Sequence, residues 1–177
     1  MSKILWNKLV PSKVNVFFWR VCNEGIPTRL ALYNRGVSLV STDCLFCGNH
    51  VETIDHCLLS CNKVEIFWRK IWGWWNISSG RMSSIEDFKS GQCIPTISSF
   101  SNKVFEATCL VSLWSIWHWR NRVLHANDSE IEKVRNEDIF PSLQRLSAHW
   151  FAARLKKAKF DMQRWISSPN SALVDPG

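Results

Sequence analysis

The chain has 177 residues, 46 % hydrophobic and 21 % charged, which is the balance of a packed globular protein of one domain or a domain with an appendage. The longest charge-free apolar run, residues 107–117, falls short of the roughly 20 residues a membrane helix needs. With two lysines in Met1–Val10 and no secretory pattern, the seven cysteines read as thiols of an intracellular protein, nuclear or cytoplasmic and not secreted, rather than as a disulfide framework.

Residues 12–23 hold Val14, Val16, Phe17, Phe18, Trp19, Val21 and Cys22. Pro11 suits a first helical turn and Gly25 a stop, and the length favours a buried helix over a strand. Thr28 follows the Ile26-Pro27 break as N-cap of a short helix to Arg35, which Gly36 ends.

Next comes Cys44-Leu45-Phe46-Cys47-Gly48, with His56 and Cys61 beyond it. The two-residue gap lets one tight turn aim two sulfurs at a common centre, and Gly48 supplies the backbone freedom. His56 and Cys61 complete a four-donor set suited to one structural Zn²⁺, with no open position for a reacting water. Cys57 sits beside His56 and is an alternative fourth ligand, giving four cysteines. Thr53 is placed to cap the turn carrying His56.

Asn62 then begins an amphipathic helix to about Trp75, with Val64, Phe67, Trp68, Ile71, Trp72 and Trp75 on one face and a Glu65–Arg69 pair off it. Residues 77–101 are rich in Ser and Gly, broken by Pro95, and read as a linker with one short helix near Ile85–Lys89. A long, mostly buried helix is predicted from Asn102 to about His125, with a narrow polar stripe of Thr108, Ser112, Ser115 and Arg122. A last helix is predicted from about Pro141 to Ile166, its apolar seam running through Phe151, Leu155, Ala158, Met162 and Trp165. The tail 167–177 reads as disordered. The predicted fold is mainly α: a small helical metal-binding domain over 1–76, the linker, and a long-helix region over 102–166.

The order of these features resembles the reverse-transcriptase zinc-binding domain of plant non-LTR, LINE-type retroelements. The resemblance is carried by Val10-Pro11-x-Lys13-Val14, Phe18-Trp19-Arg20, Ile26-Pro27-Thr28, Leu32 and Arg35. It continues through Cys44-x2-Cys47, Glu52-Thr53, His56, Cys61 and Trp68–Trp75. Trp117-x-Trp119-Arg120-Asn121-Arg122 resembles the segment that often follows. The resemblance implies Cys44, Cys47, His56 and Cys61 as zinc ligands, so it favours His56 over Cys57. It also implies nucleic-acid contact or scaffolding beside a retroelement polymerase. That polymerase's paired metal-binding aspartates have no counterpart, since no Asp-Asp occurs.

No nucleophile–base–orienter set and no phosphate-cradling glycine loop is present, which argues against an enzyme. His118, His125 and His149 read as structural or surface residues, and Cys22, Cys93 and Cys109 as small apolar fillers. Trp68, Trp72, Trp114 and Trp117 read as core. Trp74, Trp75 and Trp165 are the candidates for base stacking. The net charge of +7 suits RNA or DNA. Basic residues cluster between 145 and 165, so Arg154, Lys156, Lys157, Lys159 and Arg164 are the expected, sequence-independent phosphate contacts.

Overall fold

The computed structural model describes residues 6–78, 82–91, 98–155 and 160–173. Among them the fold is helical, with a single isolated antiparallel bridge, Asp43 to Val51. Cys93, Pro95, Lys156, Lys157, Ala158 and Lys159 lie outside the described residues.

Helix α1 spans Ser12–Cys22, as the sequence predicts. Its stop differs in detail. Glu24 takes the left-handed conformation, with φ of 53°, and the Gly25 N–H reaches back 2.7 Å to the Arg20 carbonyl. A side chain at Gly25 would meet that carbonyl at 3.2 Å, so the glycine serves close approach. Helix α2, Arg29–Asn34, starts under the Thr28 hydroxyl, which accepts from the Ala31 N–H. Helix α3 covers Asn62–Trp74, with Cys61 rather than Asn62 at the N-cap position. Helix α4, Ile85–Lys89, begins with a reciprocal capping box between Ser84 and Asp87.

Helix α5, Ser99–His125, is the axis of the molecule. Its polar stripe is partly internal. Thr108 and Ser112 are buried and donate to the carbonyls of Val104 and Thr108, which satisfies them without a partner helix. Helix α1 packs on it through Phe17, whose ring lies 5.4 Å from Trp114 and 6.3 Å from Trp117. Helix α3 packs through Trp72 and the following Trp75, both against Phe105. The segment expected as a linker also packs: Met82, Ile85 and Phe88 are buried, and Phe88 meets Phe18 edge-on. One hydrophobic cluster therefore runs through α1, α3, α4 and α5.

The predicted last helix is interrupted. Helix α6, Ile131–Arg135, precedes α7, Phe140–Arg154, and a separate α8, Met162–Ser167, follows. Asp161 explains the restart: its carboxylate accepts from the Gln163 and Arg164 N–H groups, and such a cap requires non-helical backbone at that residue. The continuous apolar seam from Phe151 to Trp165 is thus corrected. Leaving the helical track lets Trp165 fold back, fully buried, onto Trp74, Trp75, Phe151 and Phe160.

The start of the expected disordered tail is ordered too. Helix α9, Pro169–Ala172, buries Pro169 and Ala172, and Asn170 donates to the Trp75 carbonyl. Trp68, Trp72 and Trp117 are buried as expected, whereas Trp114 is only half-buried. The stacking candidates Trp74, Trp75 and Trp165 are corrected: all three are core. Their long-range ring packing could not be read from local spacing. Among the described residues no helix is long and apolar enough to cross a membrane.

Candidate metal centre

Residues 42–52 fold back on themselves as a small knuckle. The Cys44 N–H donates to the His50 carbonyl at 2.7 Å, and the Glu52 N–H to the Thr42 carbonyl at 2.8 Å. At its tip the Gly48 N–H donates to the Cys44 carbonyl, with Gly48 at φ of 67°, a turn that suits glycine. This brings the Cys44 and Cys47 sulfurs to one side.

The second pair comes from an unusual turn. The His56 N–H is capped by the Thr53 hydroxyl at 3.0 Å, as the sequence suggests. Residues His56–Ser60 then form a π-helical turn, closed by the Cys61 N–H on the His56 carbonyl. In an α-helix, residues five apart point about 140° away from each other. The wider turn brings His56 and Cys61 back to one face. It also sets His56 among the clustered donor atoms, whereas the Cys57 thiol is fully buried and lies outside the cluster.

The ligand atoms of Cys44, Cys47, His56 and Cys61 all lie within 4.8 Å of one another. Cys44 Sγ is 3.9 Å from Cys61 Sγ, and Cys47 Sγ is 3.3 Å from His56 Nε2. A tetrahedral Zn²⁺ with bonds of about 2.3 Å to sulfur and 2.0–2.1 Å to nitrogen sets ligand separations of about 3.5–3.8 Å. The four donors fit such an ion in number, type and spacing, so the cluster can hold one metal ion. With all four corners protein-derived, the arrangement is structural in kind.

The surroundings favour a negative sulfur at Cys44. The Cys44 thiol is pulled down to about 5, first by the hydrogen bond from Cys61 and further by the Phe46 and Cys47 N–H groups. Cys61 is raised as its counterpart, first by its hydrogen bond with Cys44 and then by burial. The Lys63 N–H, in the first turn of α3, acts on Cys61 in the opposite sense, as a helix N-terminus does for an anion. Burial pushes the Cys57 thiol well up, which suits an inert core residue.

Two features beside the donors carry no ligand role in the sequence reading. His50 lies at the rim, its Nδ1 3.8 Å from Cys47 Sγ and its ring stacked on His56 at 5.0 Å. Its place three residues beyond Cys47, with two residues between, is a usable donor spacing and was the available signal. Glu52 is fully buried behind the knuckle and pairs with Arg120 of α5 at 2.7 Å. No local pattern could join residues so far apart in sequence.

Of the expected phosphate contacts, the structure describes Arg154 and Arg164. Arg154 donates to the Trp150 carbonyl within its own helix, and Arg164 is exposed and lies 3.7 Å from Asp161. They stand on separate helices, so the single basic face expected of one helix is not formed by these two. His118 is exposed on α5 with its ring 4.3 Å from Trp114, and His125 and His149 are exposed. Cys109 is buried in the core and Cys22 is half-buried.

Residues 1–68 match the family model described as zinc-binding in reverse transcriptase. The match contains all four donors of the cluster, and the family is a zinc-binding module rather than a catalytic one. No curated protein and no solved structure matches the chain.

Proposed function

We propose that this chain is a non-catalytic, zinc-stabilised module of a LINE-type retroelement of plant type, and that it contacts nucleic acid beside a retroelement polymerase. The observation that carries the zinc reading is the convergence of three sulfurs and one imidazole nitrogen within 4.8 Å, inside the region that matches the family. Zn²⁺ would be held by Cys44, Cys47, His56 and Cys61. It would supply folding energy by locking the knuckle to the start of α3. The reduced cysteines suit a nuclear or cytoplasmic setting.

Nucleic-acid contact is supported by the net charge of +7 and by the surface of residues 6–40. The large exposed aromatics of the described residues, Trp6, Trp19 and Tyr33, all lie in this stretch. Lys8, Lys13, Arg20, Arg29 and Arg35 accompany them against Glu24 as the acid. Aromatics interleaved with cations suit single strands, where each base stack is worth about 1–3 kcal/mol. The cations from Arg154 to Arg164, including Lys156, Lys157 and Lys159, would add phosphate contacts.

The test is fluorescence anisotropy of the zinc-loaded chain with single-stranded RNA and with duplex DNA across a salt series. The reading expects affinity that falls steeply with salt, a shallower slope after charge removal at Arg154, Lys156, Lys157, Lys159 and Arg164, and weaker single-strand binding by Trp19→Ala and Tyr33→Ala. No binding at low salt by folded, zinc-loaded protein would leave a protein-interaction module instead.

A further inference from the structure

The metal cluster has a fifth donor at its edge. We propose that His50 is a reserve ligand of this centre, able to take the corner of His56; the inference rests on the zinc reading above. Three observations meet here. The Nδ1 of His50 lies 3.8 Å from Cys47 Sγ, about the separation of two ligands on one tetrahedral zinc. Its ring stacks on that of His56, with centroids 5.0 Å apart and planes at 26°, so the two imidazoles stand at the same side of the cluster. Its backbone is pinned, because its carbonyl accepts the Cys44 N–H at 2.7 Å, while its side chain is exposed.

Removing the His56 ring opens the space on the side where His50 stands. A side-chain rotation then brings His50 Nδ1 toward the ion with the knuckle backbone held in place. The ligand exchange replaces one neutral imidazole nitrogen by another, so charge and donor softness are conserved. Cys57 is not an equivalent substitute, because it is sealed in the core. The exposed position of His50 also suits it to a transient role, holding an incoming ion beside Cys47 before His56 closes the site.

The experiment is competitive Zn²⁺ titration of wild type, His50→Ala, His56→Ala and the double variant, with helicity followed by circular dichroism. Nitrogen-15 correlation spectra of the histidine rings in the zinc-loaded proteins identify the bound nitrogen. Wild type should bind one equivalent through His56 Nε2. His56→Ala should still bind one equivalent, now through His50 Nδ1. The loss should be about 10- to 100-fold, the scale of losing an orienting partner. The double variant should fall well below His56→Ala. If wild type binds zinc while His56→Ala binds no better than the double variant, folded or not, His50 is no reserve ligand. If wild type itself binds no zinc, the underlying zinc reading fails instead.

Discussion

Arg120 Nη2 lies 2.7 Å from Glu52 Oε1, and the two side chains are 2 % and 0 % exposed. The same carboxylate accepts the N–H groups of Arg29, at the start of α2, and of Leu45, inside the knuckle. The guanidinium also donates to Asn121 and lies over the Trp117 ring. One buried ion pair thus fastens the metal-binding knuckle and α2 to the central helix. Removing one partner of such a pair strands the other charge in the core, at a cost of about 3–5 kcal/mol. Arg120→Met should therefore destabilise by that amount, and Glu52→Gln with Arg120→Met together by less than the sum of the singles. Urea melts of the three variants measure this. A single substitution at Arg120 within experimental error of wild type would show that the pair contributes nothing.

Cys57 and Cys44 should behave oppositely. Cys57→Ala should retain one metal per chain, because the thiol is core and outside the ligand set. Cys44→Ser should lose tight binding, since a hydroxyl is a poor replacement for a thiolate. Metal analysis after dialysis distinguishes them, and metal lost from Cys57→Ala with a folded helical spectrum would contradict the donor set.

Trp165 is wedged among Trp74, Trp75, Phe151 and Phe160, and its Nε1 donates to the Ser147 hydroxyl. Trp165→Ala should cost about 3–5 kcal/mol, the range for emptying a core aromatic site. Trp114→Ala should cost less, because Trp114 is half-buried. Equal costs in denaturant melts would show that the α8 segment is not part of the core.

Glu106 gives a pH dependence. It is 9 % exposed, and its Oε1 has no hydrogen-bond partner among the described residues, while Asn7 donates to Oε2. Burial raises its carboxyl above the ordinary 4.5, against the Asn7 hydrogen bond and the Lys103 charge. The folded chain then holds this proton to higher pH than the unfolded chain. Its contribution is full below the unfolded value and is lost as pH rises through the folded one. Glu106→Gln should melt like wild type near pH 4 and at higher temperature than wild type near pH 7. Comparing the two chains at each pH cancels the metal's own pH dependence. A difference of the same size at both pH values would contradict this.

Much of the fold was legible because its signals are local. Thr28 and Thr53 cap what their positions suggest, and the buried face of α3 follows helical periodicity. The four-donor spacing pointed to the cluster. What was not legible depends on backbone choices or on distant partners. Asp161 could be a helical residue or a cap, and only packing of Trp165 against residues near 75 favours the cap. Cys57 and Cys61 have the spacing of an α-helical pair, so local periodicity would favour Cys57. The π-helical turn reverses that choice, and only the resemblance anticipated it. Glu52 and Arg120 meet across most of the helical core, beyond any local pattern.

The most direct measurement is X-ray absorption at the zinc edge on the purified chain, together with its metal content. The account predicts one zinc per chain, with three sulfurs at about 2.3 Å and one nitrogen at about 2.0–2.1 Å. A chain folded without zinc, or a zinc held by four sulfurs, would contradict it.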